Sequence, residues 1–158
     1  MKTTRREILA ATAGMALAAA AGPATAQKKY DTGASDKEVR IGSTQPLSGP
    51  ASPYAGIGKA MVAYFKMIND QGGINGRKIS FFLYDDGYQP PQTVDNTRKL
   101  VEQDEVLFTL GSLGSPTQLA VQRYMNARKV PQLFVSAPAS KLADAKTQLQ
   151  AARQQAPK

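Results

Sequence analysis

The chain predicts an α/β protein built on a doubly wound parallel sheet. Four short strand-like segments alternate with three segments of helical period, in the order βα-βα-βα-β, and the connections between them are short. One strand, residues 78–84, is apolar almost throughout (Ile79, Phe81, Phe82, Leu83, Tyr84), as parallel strands covered on both faces by helices are. Helical crossovers of one hand leave the carboxyl end of every such strand on the same edge of the sheet.

Each element has its own signal. Residues 39–43, Val-Arg-Ile-Gly-Ser, read as the first strand, and they run into Pro46-Leu47-Ser48-Gly49-Pro50-Ala51-Ser52-Pro53-Tyr54, whose prolines cannot continue a sheet. Ile57, Ala60, Met61, Tyr64, Phe65 and Ile68 then recur at helical spacing and predict one apolar stripe. Gly72-Gly73 ends that helix and Asn75-Gly76 turns the chain into the second strand. Asp85-Asp86-Gly87 closes the second strand. Pro90-Pro91 opens a second helix with Val94, Thr97, Leu100 and Val101 facing inward and Asp95 and Lys99 paired at i, i+4 on its surface. The third strand, residues 106–110, breaks at Gly111. Ser115 as N-cap and Pro116 at the first helical position start a third helix, with Ala120, Tyr124 and Ala127 on its inner face. Residues 131–135 form the fourth strand and end in Ser136-Ala137-Pro138-Ala139-Ser140.

Three loops therefore meet at the carboxyl edge: residues 46–55, 111–115 and 136–140. All are rich in small residues and hydroxyls, and Tyr54 adds an aromatic. Such an edge suits a small polar ligand gripped by backbone N–H groups and serines. The helix start at Ser115 suits an anion such as a carboxylate, because its first N–H groups lack partners and carry partial positive charge. Taken alone, residues 111–115 also read as an ordinary capped turn.

Composition removes several classes of function. The chain has neither His nor Cys, which excludes a Ser-His-Asp arrangement, the usual zinc sites and histidine acid–base chemistry. Gly56-Ile57-Gly58-Lys59-Ala60 fails the phosphate-loop pattern at Pro53 and Ala60 and the dinucleotide pattern at Met61, so no cofactor is implied. Its glycines let the first helix approach the loop closely. The net charge of +8 is spread along the chain with no basic cluster interleaved with aromatics, which argues against nucleic acid. Asp85-Asp86 reads as a turn and capping pair; the other reading is a metal-dependent enzyme of the same fold that uses both carboxylates.

The ends differ from the middle. Lys2, Arg5 and Arg6, the alanine-rich run over residues 8–21 and Ala24-Thr25-Ala26 form an export signal over residues 1–26, with cleavage expected after Ala26. Thr4-Arg5-Arg6-Glu7-Ile8-Leu9 resembles a twin-arginine signal, though Ile8 and Ala10 depart from it and leave the general route open. The run is shorter than the ~20 apolar residues a membrane span needs. Residues 27–37 read as a flexible leader, 38–140 as the folded part, and 141–158 as a polar tail, possible as a helix with Leu142 and Leu149 on one side.

Within the folded part, Ile41-Gly42, Leu47-Ser48-Gly49-Pro50, Ile68-Asn69-Asp70-Gln71-Gly72-Gly73-Ile74-Asn75-Gly76, Tyr84-Asp85-Asp86, residues 111–115 and residues 130–135 occur in order and at matching spacing. Together they resemble the branched-chain amino-acid type of ABC-transporter substrate-binding protein. The resemblance implies an exported, periplasmic, non-enzymatic protein with a flavodoxin-like lobe. Its partners are then a small-molecule ligand, an amino acid or analogue, and the membrane permease of an ABC importer. It also implies a ligand set of Tyr54, Gly114, Ser115, Pro138, Ala139 and Ser140. Ser115 holds the carboxylate, the Pro138 carbonyl receives the ammonium, and Tyr54 flanks the ligand. Family chains have two lobes around a hinge, whereas the likeness ceases at Lys141-Leu142-Ala143, so an incomplete first lobe with impaired binding is expected. A ligand-sensing receptor domain of the same fold is the alternative.

Overall fold

The structure is a computed structural model that describes residues 30–143. The export signal, the start of the leader and all of the tail beyond residue 143 lie outside the described residues. The sheet is parallel throughout, with strand order β2-β1-β3-β4. Strand β1 (Glu38–Gln45) pairs with β2 (Lys78–Asp85) along its whole length, from Glu38 opposite Lys78 to Gln45 opposite Asp85. On its other side Ile41 and Gly42 pair with Phe108 and Thr109 of β3 (Phe108–Leu110), and Thr109 and Leu110 pair with β4 (Gln132–Leu133).

Strand β1 runs two residues further than its apolar pattern indicates. Ser43, Thr44 and Gln45 are fully buried, which burial alone would penalise. They stay in the sheet because each has a polar partner. Thr44 N donates to Ser112 Oγ (3.1 Å), Gln118 Nε2 donates to Thr44 Oγ1 (3.1 Å), and Gln45 Nε2 reaches Ser43 Oγ (3.2 Å) and Gly111 O (2.6 Å). Gln132 Nε2 extends the chain of bonds by donating to Gln118 Oε1 (3.1 Å).

Right-handed crossovers decide which face each helix covers. The chain moves one way from β1 to β2 and the opposite way afterwards. Helix α1 (Ala55–Asp70), entered through a 3₁₀ turn over Ser52–Tyr54, thus lies on one face. Helices α2 (Pro90–Glu102) and α3 (Ser115–Arg128) lie on the other and pack against each other. A final short turn of helix, α4 (Ser140–Ala143), rests on α3.

The helix faces correct the sequence pattern in part. Helix α1 meets the sheet along a narrow line: Ala55 and Gly58 are buried, and the Phe65 ring lies 4.9 Å from that of Phe81. Gly58 permits this, since a Cβ there would stand 3.1 Å from Gln45 Cγ and from the Leu83 methyls. Ile57 and Tyr64, placed on the inward stripe by their spacing, are 40% and 56% exposed, because the close approach at Gly58 tilts contact toward Met61 and Phe65. At the end of α1, the Asn69 carboxamide takes both backbone groups of Ile79, accepting from its N–H and donating to its C=O at 2.7 Å each.

In α2, Thr97 and Leu100 are buried as expected, but Thr93 takes the innermost place ahead of Val94, and Val101 is half-buried. Lys99 does not pair with Asp95; its Nζ lies 4.3 Å over the Tyr84 ring. The expected face of α3 is the wrong one. Thr117, Gln118, Val121 and Met125 are buried, while Ala120 and Ala127 are exposed. The polar pair Thr117 and Gln118 faces inward because it is hydrogen-bonded there, which apolar periodicity cannot register.

Candidate ligand-binding site

The order β2-β1-β3-β4 reverses direction between β1 and β3, and in open α/β sheets the crevice beyond the strand ends at such a reversal is where ligands bind. A cavity of about 820 Å³ opens at this place. The loop from β1 contributes Pro50, Ala51 and Tyr54, with Ile57 from the first turn of α1. The loop from β3 brings Leu113, Gly114 and Ser115, and the end of β4 brings Ser136, Ala137 and Pro138. The three loops expected at the edge do converge.

A fourth joins them. Gly87, Tyr88 and Gln89, between β2 and α2, complete the lining. In the sequence this stretch reads only as the end of a strand. The signal that finds it is topological: β2 neighbours β1, so its loop must flank the same crevice.

Asp85 and Asp86 build this side of the site. Asp85 Oδ1 accepts from Leu47 N (2.8 Å), Ser48 N (3.2 Å) and Gly87 N (2.9 Å), tying the β1 loop to the end of β2. Burial acts to raise its carboxyl, but the Ser48 hydroxyl and the three N–H groups outweigh that and hold it below the ordinary value. Asp86 is buried. Its Oδ1 accepts from Tyr88 N and its Oδ2 from Thr93 Oγ1, both at 3.0 Å. Here burial prevails and pushes the carboxyl up against those hydrogen bonds, with the Asp85 charge adding to the rise. Both carboxylates thus serve the loop backbone, as the turn reading had it. Among the described residues no three His, Cys, Asp or Glu side chains stand together as a metal group would require.

The start of α3 differs from its expected form. Its N-cap is Gly114, at φ 112°, and Ser115 is the first helical residue, with Pro116 second. Gly114 adopts a conformation that L side chains rarely enter, which starts the helix one residue early. No side chain caps this helix; the Thr117 hydroxyl instead donates backwards, with Leu113 O at 2.8 Å and Gly114 O at 3.0 Å. Ser115 is therefore not committed to a cap. Among the described residues no hydrogen bond engages its hydroxyl, and it lines the cavity.

Of the six candidate residues, Tyr54, Gly114, Ser115 and Pro138 stand on the cavity wall. Ala139 and Ser140 follow outside the lining, Ser140 as the first residue of α4. None of the lining side chains is charged. Backbone, hydroxyls and aromatic surface remain as the means of recognition.

In a doubly wound parallel sheet, an uncharged crevice at the strand-order reversal is where the fold class takes a small ligand. The chain belongs to the periplasmic binding protein family, whose profile matches residues 38–153. That match runs past Lys141-Leu142-Ala143 into the polar tail, so the family likeness does not cease there. A Leu/Ile/Val-binding protein homolog of Brucella abortus is 38% identical over 79 residues, covering 49% of this chain and 21% of the relative. The leucine-, isoleucine-, valine-, threonine- and alanine-binding protein of Pseudomonas aeruginosa is 33% identical over 88 residues, 54% of this chain and 23% of the relative. Among solved structures, the branched-chain amino acid transporter substrate binding protein LivJ of Streptococcus pneumoniae, in complex with isoleucine, superposes with a TM-score of 0.62. It is 26% identical and covers 67% of this chain and 31% of that one. The chain thus spans about a fifth of the length of the curated relatives it matches. These relatives are binding proteins, and the family implies a periplasmic location.

Proposed function

We propose that the chain is the solute-binding component of an ABC importer, exported by its amino-terminal signal with cleavage after Ala26. Its cavity receives an amino acid or a related small carboxylate or amide, for delivery to a membrane permease. The observation that carries this reading is Ser115. Its hydroxyl is free of any cap, and it stands at the first position of a 14-residue helix on an uncharged cavity. A carboxylate there accepts from the hydroxyl and from first-turn N–H groups, and partial positive charge at the helix end adds to the attraction. The Pro138 carbonyl receives the ammonium, Tyr54 flanks the apolar part, and Gly114 lines the cavity next to Ser115. Ala139 and Ser140 stand one and two residues beyond the wall and complete the assigned set. The names of the Brucella and Pseudomonas relatives and the isoleucine in the Streptococcus protein support aliphatic amino acids as the first ligands to try.

The test is a titration of the ¹⁵N-labelled chain with leucine, isoleucine and valine, read by amide shifts. Movement confined to residues 87–89, 113–115, 136 and 137 supports the reading. Shifts scattered over the surface, or none, overturn it. Ser115→Ala is expected to weaken carboxylate ligands by about 1.5–3 kcal/mol, the range for hydrogen bonds to charged groups, and the corresponding amides by much less. Equal losses for both would return Ser115 to a plain helix-start role.

A further inference from the structure

Tyr88 sits on the cavity wall in a conformation that bulky residues avoid, with φ 63°. Two neighbours hold it there. Its N–H donates to Asp86 Oδ1 (3.0 Å), on a carboxylate that is 1% exposed and braced by Thr93. Its ring edge lies on Gly114, so close that a Cβ at Gly114 would stand 2.7 Å from Tyr88 Cε2. A buried acid and a residue without a side chain are thus both given to placing one aromatic ring beside Ser115. Across the lining, Tyr54 is the second aromatic and is 58% exposed. The large aliphatic side chains on the wall are only Ile57 and Leu113.

We infer that Tyr88 is a specificity-determining residue, selecting ligands that carry a flat aromatic group next to the carboxylate held at Ser115. Aromatic rings attract one another through offset and edge-to-face contacts beyond what area alone supplies, and a saturated ring of similar size forgoes that term. The inference rests on the cavity being the ligand site, and it narrows the ligand from small carboxylates in general to aromatic ones.

Benzoate and cyclohexanecarboxylate test it, because they share the carboxylate and nearly the same size and differ in planarity and π-character. In amide-shift titrations of the full chain, benzoate is expected to bind about three- to tenfold tighter, the span of a measured aromatic pair. Tyr88→Leu should bring the ratio close to one while leaving cyclohexanecarboxylate within about twofold, since a leucine keeps apolar area but no ring. Tyr88→Asn, a residue at ease at positive φ, guards against loss of the loop fold and should also abolish the preference. A ratio near one in the unsubstituted chain, or a ratio that survives both substitutions, overturns the inference. If leucine moves the cavity amides while the ratio is one, only this inference falls. If neither leucine nor either carboxylate moves them, the ligand site itself is wrong and both readings fall.

Discussion

Replacing Gly114 by alanine disturbs two things at once, and the structure sets the size of each. The backbone at φ 112° is open to glycine, and holding an alanine there costs about 1–3 kcal/mol. The added methyl would stand 2.5 Å from Thr117 Oγ1 and 2.7 Å from Tyr88 Cε2, where ordinary contact begins at 3.4 Å. Either the Thr117 hydroxyl leaves Leu113 O and Gly114 O, giving up a buried hydrogen bond of about 1 kcal/mol, or the Tyr88 ring swings out. Overpacking of this kind costs about 1–3 kcal/mol. A less flexible unfolded chain returns about 0.4–1 kcal/mol. The net expectation is a loss of about 2–5 kcal/mol, a large part of the ~5–15 kcal/mol that holds most domains folded. Urea unfolding followed by far-ultraviolet circular dichroism measures it. In a Tyr88→Ala background the same substitution should cost about 1 kcal/mol less, because the ring contact is gone. A loss under about 1 kcal/mol in the unsubstituted background would refute the reasoning, since neither the backbone nor the two contacts could then be as tight as described.

The buried acid gives a second set of outcomes. Asp86→Asn should keep stability at neutral pH within about 1 kcal/mol, because Asn Oδ1 can accept from Tyr88 N while Thr93 Oγ1 turns its proton to Gln89 O, 3.0 Å away. Asp86→Ala leaves those donors without a carboxyl partner and should cost about 1–3 kcal/mol. The raised carboxyl of Asp86 binds its proton more readily in the folded state, so its contribution grows as pH falls through the folded value toward 3.8 and is smallest at neutral pH. Asp85 is held below 3.8 and acts in the opposite sense: its contribution is complete above 3.8 and is lost as pH falls through the lower folded value. Unfolding curves of Asp85→Asn and Asp86→Asn between pH 2 and 7 should therefore depart from the parent in opposite directions. In the core, Leu100→Ala should cost about 2–5 kcal/mol, Leu100 being fully buried. Its methyls lie 2.9 and 3.0 Å from where a Cβ on Gly42 would stand, so Gly42→Ala should be harmful alone and partly compensated in the double variant. Strict additivity of the two would show that they do not share that space.

The parallel sheet was legible because its cues are local and redundant. Apolar strands, glycine stops and proline starts each point to the same alternation, and alternation with short links leaves little choice of topology. The site was legible to the extent that topology brings βα loops to one edge. What escaped were residues whose placement depends on partners far along the chain. Ser43, Thr44, Gln45, Thr117 and Gln118 look like surface residues by composition, yet they are buried because they hydrogen-bond across β1, the loop after β3 and α3, with only Gln45 Oε1 left without a partner among the described residues. Ser115 looks like an N-cap because it precedes a proline, but Gly114 can take the capping conformation and does so. Tyr88 carries no local sign of its role at all. Its position follows from Asp86 and Gly114, and Gly114 lies 26 residues away from it.

The carboxamide of Asn69 on Ile79 has a consequence for how this sheet meets other chains. Strand β2 lies at the rim of the sheet, and its residues alternate in the direction of their backbone groups, so Ile79, Phe81 and Leu83 offer theirs away from β1. An unpaired rim of apolar residues is a template on which a foreign strand can grow, the first step of edge-to-edge aggregation. Asn69 occupies the first of those rungs by imitating a peptide group, with its own oxygen on the N–H and its own nitrogen on the C=O. At the other end of the strand Asn96 Nδ2 donates to the Asp85 C=O (2.8 Å), so a strand arriving from outside finds two whole rungs, at Phe81 and Leu83, where it would need several to hold. One side chain at the end of α1 thus serves as a terminator for the sheet, and Asn69→Leu, which keeps the bulk and removes the imitation, should leave the chain more prone to form β-rich assemblies on concentration.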